Sequence, residues 1–372
     1  MFSAVDHAMM ARALRLAARG LHSTQPNPRV GCVIARDGAV VGEGWHRRAG
    51  EAHAEVFALQ AARERARGAT AYVTLEPCGT FGRTPPCADA LIAAGVARVV
   101  IASGDSSQAK GDAVGRMLAA GIVVESGLMR TAARELNRGF FKRIEHGLPW
   151  LRIKLASGID GRTALANGVS KWITGEAARR DVQRWRARSS ALLTGIGTVL
   201  ADDPRLTVRD EELLAADPAP VAPLRVVLDS ELATPDGAAV LDGSAPTLVV
   251  HANGLAATSR FARVECASVP RALHGRGLDM GAVLRLLAGR GMNEVQVEAG
   301  ARLCGALAAA GFMDELLLYQ APLVLGDDAR PLLRLPVFDR IEDAPHLRVH
   351  EMRQVGDDVR FLLRPAAART GG

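Results

Sequence analysis

The stretch Ala52-His53-Ala54-Glu55, followed by Leu75-Glu76-Pro77-Cys78-Gly79-Thr80-Phe81-Gly82-Arg83-Thr84-Pro85-Pro86-Cys87, decides how the first part of the chain must fold. It holds an imidazole, two thiols and a carboxylate two residues past the imidazole. Three soft donors are the ligand set of a catalytic zinc site, which keeps a fourth position for water and lowers that water's pKa to roughly 7. A structural zinc site would normally supply four ligands. In His-x-Glu at a helix start, the histidine faces the metal while the acid points at the same water, so Glu55 is the candidate proton shuttle. The zinc-deaminase signature continues with Pro-Cys-x-x-Cys; here Pro77-Cys78 is present but eight residues, 79–86, separate the two cysteines. To gather the donors, we expect a helix over 52–67 beginning at His53, a strand over 71–75 delivering Cys78, and a helix over 87–94 beginning at Cys87. Helix starts suit a thiolate, because the positive end of the helix dipole lowers its pKa.

The 372 residues amount to two domains at ~150 residues each. With 48% hydrophobic and 23% charged residues the chain can bury sizeable cores. No early stretch joins a basic start, an apolar run and a small-residue cleavage site, and no apolar run reaches the ~18 residues that span a bilayer. A cytoplasmic protein without a membrane partner is expected. Of five cysteines, two go to metal, and Cys32, Cys266 and Cys304 read as packing residues rather than a disulfide framework. A net charge of +6 could suggest nucleic acid, but the cations are scattered and aromatics make up only 4%, too few for base stacking. No nucleic-acid partner is expected.

Met9, Met10, Ala13, Leu14 and Ala17 predict an amphipathic helix over 6–20. Strands at 30–34 and 39–44 are joined by the turn signal Asp37-Gly38. Strand 96–102, with a strand and helix within 122–137, completes an α/β layer, and 140–150 reads as a linker. A second α/β pattern follows, with strands at 151–156, 191–195, 224–228, 247–251, 294–298 and 315–325 and helices at 175–189, 280–288 and 301–310. A hairpin, 347–352 with 359–363, closes the chain, and the Ala/Pro-rich run 215–223 reads as a surface excursion. The expected domains are 1–146 and 147–372.

Two turns in the second half stand out. The glycines in Thr194-Gly195-Ile196-Gly197 let a phosphate or ribose approach the backbone, and Val297-Glu298-Ala299-Gly300-Ala301-Arg302 runs from strand into helix, leaving N–H groups for an anion. Either could equally be an ordinary turn glycine. Lys154 lies inside an apolar strand, where a charge is costly without a partner or ligand; the alternative is a side chain reaching out to solvent.

Over essentially its full length the chain resembles the bifunctional deaminase/reductases of riboflavin biosynthesis. The resemblance rests on Pro26-Asn27-Pro28-Arg29-Val30-Gly31, Gly44-Trp45-His46, the zinc motif with its long cysteine gap, Trp172-Ile173-Thr174, Arg179-Arg180-Asp181-Val182-Gln183, Thr198-Val199-Leu200-Ala201-Asp202-Asp203-Pro204 and Leu206-Thr207-Val208-Arg209. It implies an α/β protein with a three-layer cytidine-deaminase-like domain followed by a dihydrofolate-reductase-like domain. The first domain would be a zinc-dependent pyrimidine deaminase. It would hydrolyse the 2-amino group of 2,5-diamino-6-(5-phosphoribosylamino)pyrimidin-4(3H)-one, with His53, Cys78 and Cys87 on one Zn2+ and Glu55 relaying the proton to the departing amine. Asn27, His46 and Arg83 would hold the substrate. The second domain would use NADPH to reduce the ribosyl group to ribityl. Its substrate positions fall on Ser170, Arg186, Leu206, Arg209 and Glu298. Its cofactor positions fall on Ala156, Trp172, Thr198, Asp202, Ser230 and the turn Gly300, Ala301, Arg302, Leu303, Cys304, Gly305 and Ala306. Lys154 and Glu298 are both candidates for proton transfer. The partners implied are a small phosphorylated pyrimidine and further copies of the chain, as a dimer or tetramer. Two departures are visible: Gly158 stands where the family has serine, and Ser106-Ser107-Gln108 stands in place of Pro-Asn-Pro. The alternative is a zinc deaminase whose second domain only binds or assembles.

Overall fold

Asp37 and Gly38, with φ of 50° and 76°, make the tight turn that an Asp-Gly pair favours, and the flanking strands β1 (Gly31–Arg36) and β2 (Ala39–Trp45) pair antiparallel. In the computed structural model, which describes residues 1–80, 85–107, 111–273 and 277–366, the chain divides into two units. The first is Met1–Leu148 with Ala216–Val221; the second is Pro149–Ala215 with Ala222–Gly372. The Ala/Pro-rich run is thus more than a surface excursion. Within the first unit Val221 N donates to His22 O and Arg48 Nη2 donates to Ala219 O.

The first unit opens with α1 (Ala4–Ala18), started by a reciprocal Ser3–Asp6 capping box. After β1 and β2 come α2 (Ala54–Ala62), β3 (Thr70–Val73), α3 (Cys87–Ala93), β4 (Arg98–Ile101), α4 (Ala113–Ala119), β5 (Val123–Ser126), α5 (Arg130–Leu136) and α6 (Arg138–His146). The sheet order is β2-β1-β3-β4-β5; β1 runs antiparallel to its two neighbours, and the remaining pairs are parallel. Alternation along β1 sends Cys32 and Ile34 to the side of α2, α3 and α4, and Val33 and Ala35 to the side of α1 and α5. The result is three layers.

Two glycines in β2 set the depth of α2. A Cβ at Gly42 would lie 2.3 Å from Ala58 O, and one at Gly44 2.6 Å from Ala54 O, so the helix rests directly on the strand. This fixes the height at which His53 and Glu55, at the helix start, meet the strand ends. Gly44→Ala is expected to cost about 2 kcal/mol by overpacking and to lower zinc occupancy, read by thermal unfolding and metal analysis.

The expected linker is instead largely α6. Phe140 and Phe141 pack with Leu75, and Val30 and Ile144 lean on the same cluster. Gly147, at φ 67°, ends the helix. The aromatic pair beside Gly139 masked a helical stripe that only its packing partner makes evident.

The second unit comprises β6 (Trp150–Gly158), β7 (Arg162–Ala164), α7 (Glu176–Arg188), β8 (Ala191–Gly195), α8 (Ile196–Asp202), α9 (Glu211–Leu214), β9 (Leu224–Leu228), β10 (Thr247–Ala252), β11 (Glu265–Val269), α10 (Met280–Gly289), β12 (Glu294–Val297), α11 (Ala301–Ala309), β13 (Glu315–Ala321), β14 (Arg330–Pro331), β15 (Leu347–Val355) and β16 (Asp358–Pro365). Its main sheet runs β11-β10-β9-β8-β12-β6-β13-β16-β15. The seven strands from β11 to β13 are mutually parallel, and β16 and β15 extend the sheet antiparallel. β13 stops at Ala321, short of the expected 325, because Pro322 has no N–H for the ladder. β11 and α8 were not anticipated; β11 is an edge strand with little apolar alternation.

At the start of the central strands Arg152 is fully buried and bridges Glu315 at 2.7 Å and Glu294 at 2.8 Å. The Trp185 ring of α7 lies 4.5 Å from its guanidinium. Two positions along the same strand, Lys154 meets a cleft instead.

Candidate active sites

Three ligand atoms converge in the first unit. His53, the N-cap of α2, places Nδ1 3.2 Å from Cys87 Sγ and 3.5 Å from Cys78 Sγ, and all three atoms lie within 4.8 Å of one another. A tetrahedral zinc with ordinary Zn–N and Zn–S lengths sets N···S edges of roughly 3.6 Å, so the donor set fits the ion. Cys87 opens α3, and its N–H donates to Cys78 Sγ at 3.2 Å. The hydrogen bond from the Cys87 thiol, followed by those from His53 and from this N–H, holds the Cys78 thiol well below its ordinary pKa although burial opposes it. The Cys87 thiol is pushed up, first by sharing its proton with Cys78 and then by burial. An imidazole and two thiols whose ligand atoms lie this close together are a donor set for a cation.

Glu55 is 3% exposed, and its Oε2 has no hydrogen-bond partner among the described residues. Burial pushes its carboxyl up to about 7. A buried carboxyl oxygen left unsatisfied beside three metal-type donors marks the place of a reacting group. His46 stands edge-on to His53, ring centres 5.3 Å apart. Its Nδ1 lies 3.1 Å from Ala52 O and its Nε2 3.1 Å from Asn27 Nδ2, an arrangement satisfied by the neutral ring donating from Nδ1 and accepting at Nε2. Burial lowers its pKa, in agreement with the neutral form. Arg83 lies outside the described residues.

The second unit carries a cleft of about 1390 Å³ at the carboxyl ends of the parallel strands, where open α/β sheets bind ligands. Ser170, Arg186, Leu206 and Glu298 line it, as do Lys154, Ala156, Trp172, Thr198, Asp202 and Ser230. From the turn it takes Gly300, Ala301, Arg302, Leu303 and Ala306. Cys304 and Gly305 do not reach it: Cys304 is fully buried with Sγ 3.2 Å from Ala299 O, and a Cβ at Gly305 would lie 2.1 Å from Arg334 O. Helical periodicity turns these two inward while their neighbours face the cleft. Arg209 is exposed and outside the lining, although Arg186 and Arg205 act on its charge.

Arg186 grips Glu298 with Nε at 2.8 Å from Oε1 and Nη2 at 2.7 Å from Oε2, and Gln296 Nε2 adds a third bond at 2.9 Å. Burial pushes the Glu298 carboxyl up, but Arg186 outweighs it and the pKa settles at about 2. Lys154 shows the opposite balance: burial lowers its pKa, only partly offset by Glu298. Its Nζ lies 5.9 Å from the Tyr319 ring centre. At the rim the Arg179 guanidinium covers the Trp172 ring at 4.5 Å, and Trp172 is 72% exposed. The N-terminus of α11 has no side-chain cap, and Cβ atoms at Gly197 and Gly300 would meet nothing within 4 Å. Open helix N–H groups and a cleft at least as large as the ~300–1,000 Å³ of small-molecule sites suit a dinucleotide. The wall of Leu278, Met280, Arg330 and Arg334 was not anticipated, since no local pattern marks loops that meet only in the folded unit.

Comparison with known proteins matches a family to each unit. The cytidine and deoxycytidylate deaminase zinc-binding region matches residues 3–103, and the RibD C-terminal domain matches residues 149–361. The riboflavin biosynthesis protein RibD of Escherichia coli is 49% identical over 366 residues, covering 95% of this chain and 98% of that protein. The chain belongs to the RibD family. A solved structure of Acinetobacter baumannii RibD is 42% identical with a TM-score of 0.90, covering 98% of this chain and 99% of that one. The Thermotoga maritima structure titled diaminohydroxyphosphoribosylaminopyrimidine deaminase/5-amino-6-(5-phosphoribosylamino)uracil reductase is 30% identical with a TM-score of 0.85, covering 97% and 99%. The chain is therefore a bifunctional deaminase/reductase of riboflavin biosynthesis, with a zinc-binding cytidine-deaminase-like domain and a dihydrofolate-reductase-like domain that uses NADPH. Among the described residues no helix is long and apolar enough to cross a membrane.

Proposed function

We propose that residues 1–146 deaminate 2,5-diamino-6-(5-phosphoribosylamino)pyrimidin-4(3H)-one and that residues 147–372 reduce the ribosyl group of the product to ribityl. When bound, zinc supplies a water made acidic enough to attack at neutral pH, and NADPH supplies the reducing equivalent. His53, Cys78 and Cys87 are the metal ligands, and Glu55 takes the proton from the attacking water and passes it to the departing amine. The unsatisfied Glu55 Oε2 carries this reading. Asn27, with its amide nitrogen turned to His46 Nε2, offers its oxygen to the pyrimidine of the substrate. Arg83 is assigned to the substrate phosphate.

In the second unit Ser170, Leu206, Arg209 and the Arg186–Glu298 pair are assigned to the substrate. Ala156, Trp172, Thr198, Asp202, Ser230 and the 300–306 turn are assigned to the cofactor, with Cys304 and Gly305 packing that turn from behind. The proton for the opened-ring imine is assigned to Lys154. Glu298 accepts three N–H bonds as a carboxylate and is a poor acid, whereas a half-buried ammonium with a lowered pKa releases its proton more readily. C1′ gains the hydride and the imine nitrogen gains the proton. Lys154→Met is expected to slow NADPH oxidation about 100-fold while ammonia release is unchanged. One assay following ammonia and NADPH together tests the whole reading; ammonia release with no NADPH oxidation by the wild-type chain would leave the second domain as a binding module. We further propose a cytoplasmic homo-oligomer, dimer or tetramer, without a nucleic-acid partner, to be tested by sedimentation.

A further inference from the structure

We propose that Asn137, at the elbow between α5 and α6, is a positioning residue for the deamination: it holds the loop that presents Asn27. The inference rests on the reading of Asn27 as a substrate contact. Asn137 is 2% exposed and lies beyond the segment 3–103 that matches the zinc-binding region. Its amide makes two bonds to the backbone of one residue 108 positions earlier: Arg29 N donates to Oδ1 at 2.8 Å, and Nδ2 donates to Arg29 O at 2.8 Å. Such a pair reproduces a strand's ladder contact, which requires a donor and an acceptor on one short, planar side chain. Arg29 answers with its own side chain, donating from Nη1 to Leu136 O at 2.7 Å and from Nη2 to Leu21 O at 3.3 Å.

The loop so clamped leads straight to the metal ligands. Asn27 Nδ2 lies 3.1 Å from His46 Nε2, His46 N donates to Val30 O at 2.9 Å, and the His46 ring faces His53. On the other side of the clamp Gly31 N donates to Thr74 Oγ1 at 3.1 Å and Thr74 N donates to Gly31 O at 3.1 Å, tying the same loop to the strand end that precedes Cys78. Thr74 therefore anchors the loop to the metal strand, and Asn137 anchors it to the α5–α6 elbow. Without the two amide bonds the elbow still holds the Arg29 guanidinium through Leu136 O, but the Arg29 backbone is released; Asn27 keeps its neighbours and samples more positions, so substrate binding weakens while the chemistry at Glu55 and the zinc ligands is untouched.

The test compares Asn137→Ala, Asn137→Asp and Asn27→Ala, each as the full chain loaded with zinc. Deamination kinetics, zinc content and NADPH oxidation with the deaminated pyrimidine are measured for each. Asn137→Ala is expected to raise the deamination KM about tenfold with kcat within about twofold, the pattern of lost uniform binding. Zinc content and the reductase rate should stay at wild-type values. Asn137→Asp keeps the acceptor for Arg29 N and loses the donor, so its KM should fall between the two. If Asn27→Ala raises KM while both Asn137 variants leave it unchanged, the positioning role is wrong and the substrate reading stands. If Asn27→Ala itself leaves KM unchanged, the substrate reading has failed and the inference with it. Loss of zinc or of kcat at constant KM in the Asn137 variants would mark a purely structural residue and overturn the proposal.

Discussion

Glu55→Gln is expected to reduce ammonia release by about 10³-fold, the scale of a lost general acid–base, while zinc stays bound and NADPH oxidation with the deaminated pyrimidine proceeds at the wild-type rate. The substitution preserves volume and removes only the ability to take and return a proton. The Glu55 side chain is buried beside the three ligand atoms with one oxygen unsatisfied, so the proton it would carry has its place at that oxygen. His53, Cys78 and Cys87 supply three ligand atoms without Glu55, so metal content should not fall. Ammonia detection, metal analysis and a reductase assay on one preparation separate the outcomes. Zinc loss would make Glu55 a ligand, and normal deamination would remove it from the chemistry.

Arg186→Met is expected to have the second largest effect, abolishing reduction and destabilising the second unit by about 3 kcal/mol or more, the scale of leaving a buried charge without its partner. Glu298 would keep its bond from Gln296 and the attraction of Lys154 but lose the two bonds that outweigh its burial. The pH dependence should change as well. In the wild type the Glu298 pKa lies at about 2, below the ordinary glutamate value of 4.5. Its contribution to stability is therefore fully present above about 4.5 and is lost as pH falls from there through about 2. Without Arg186, burial dominates and the folded pKa rises above the unfolded one, so the Glu298 contribution to stability should grow as pH falls instead. Denaturant unfolding at pH 7, 5 and 3 reads both effects. A variant with unchanged stability and the wild-type pH profile would show that the pair is not the buried contact described.

Much of the deaminase half was legible because its chemistry is written locally. His53 and Glu55 are two apart at a helix start, Cys78 ends a strand run and Cys87 begins a helix, so residue type and nearby periodicity both point to one site. The central strands of the second half were equally clear from their Val- and Leu-rich runs, as was Lys154 as an unusual charge within one of them. What could not be read were features whose cause is a partner far along the chain. Helix α6 became evident through Phe140 and Phe141 against Leu75. Arg152 is tolerable in β6 only because Glu294 and Glu315 meet it. The 300–306 turn read as a continuous cofactor segment, yet the pitch of α11 turns Cys304 and Gly305 away from the cleft. Ranking Lys154 against Glu298 as proton donor likewise needed the three bonds on Glu298, two of them from a helix more than a hundred residues away in sequence.

By itself, then, the sequence determined the identity of the donor atoms, the α/β order and the resemblance to a two-step enzyme, because zinc ligation and strand and helix periods depend on residue type and short spacings. Only the tertiary structure decided which of those groups are charged, which are satisfied and which face a ligand. The physical reason is that burial and neighbouring charges set protonation and orientation. Glu55 is pushed up by burial with an open oxygen, and Glu298 is pulled down by Arg186, although the sequence presents each simply as a glutamate.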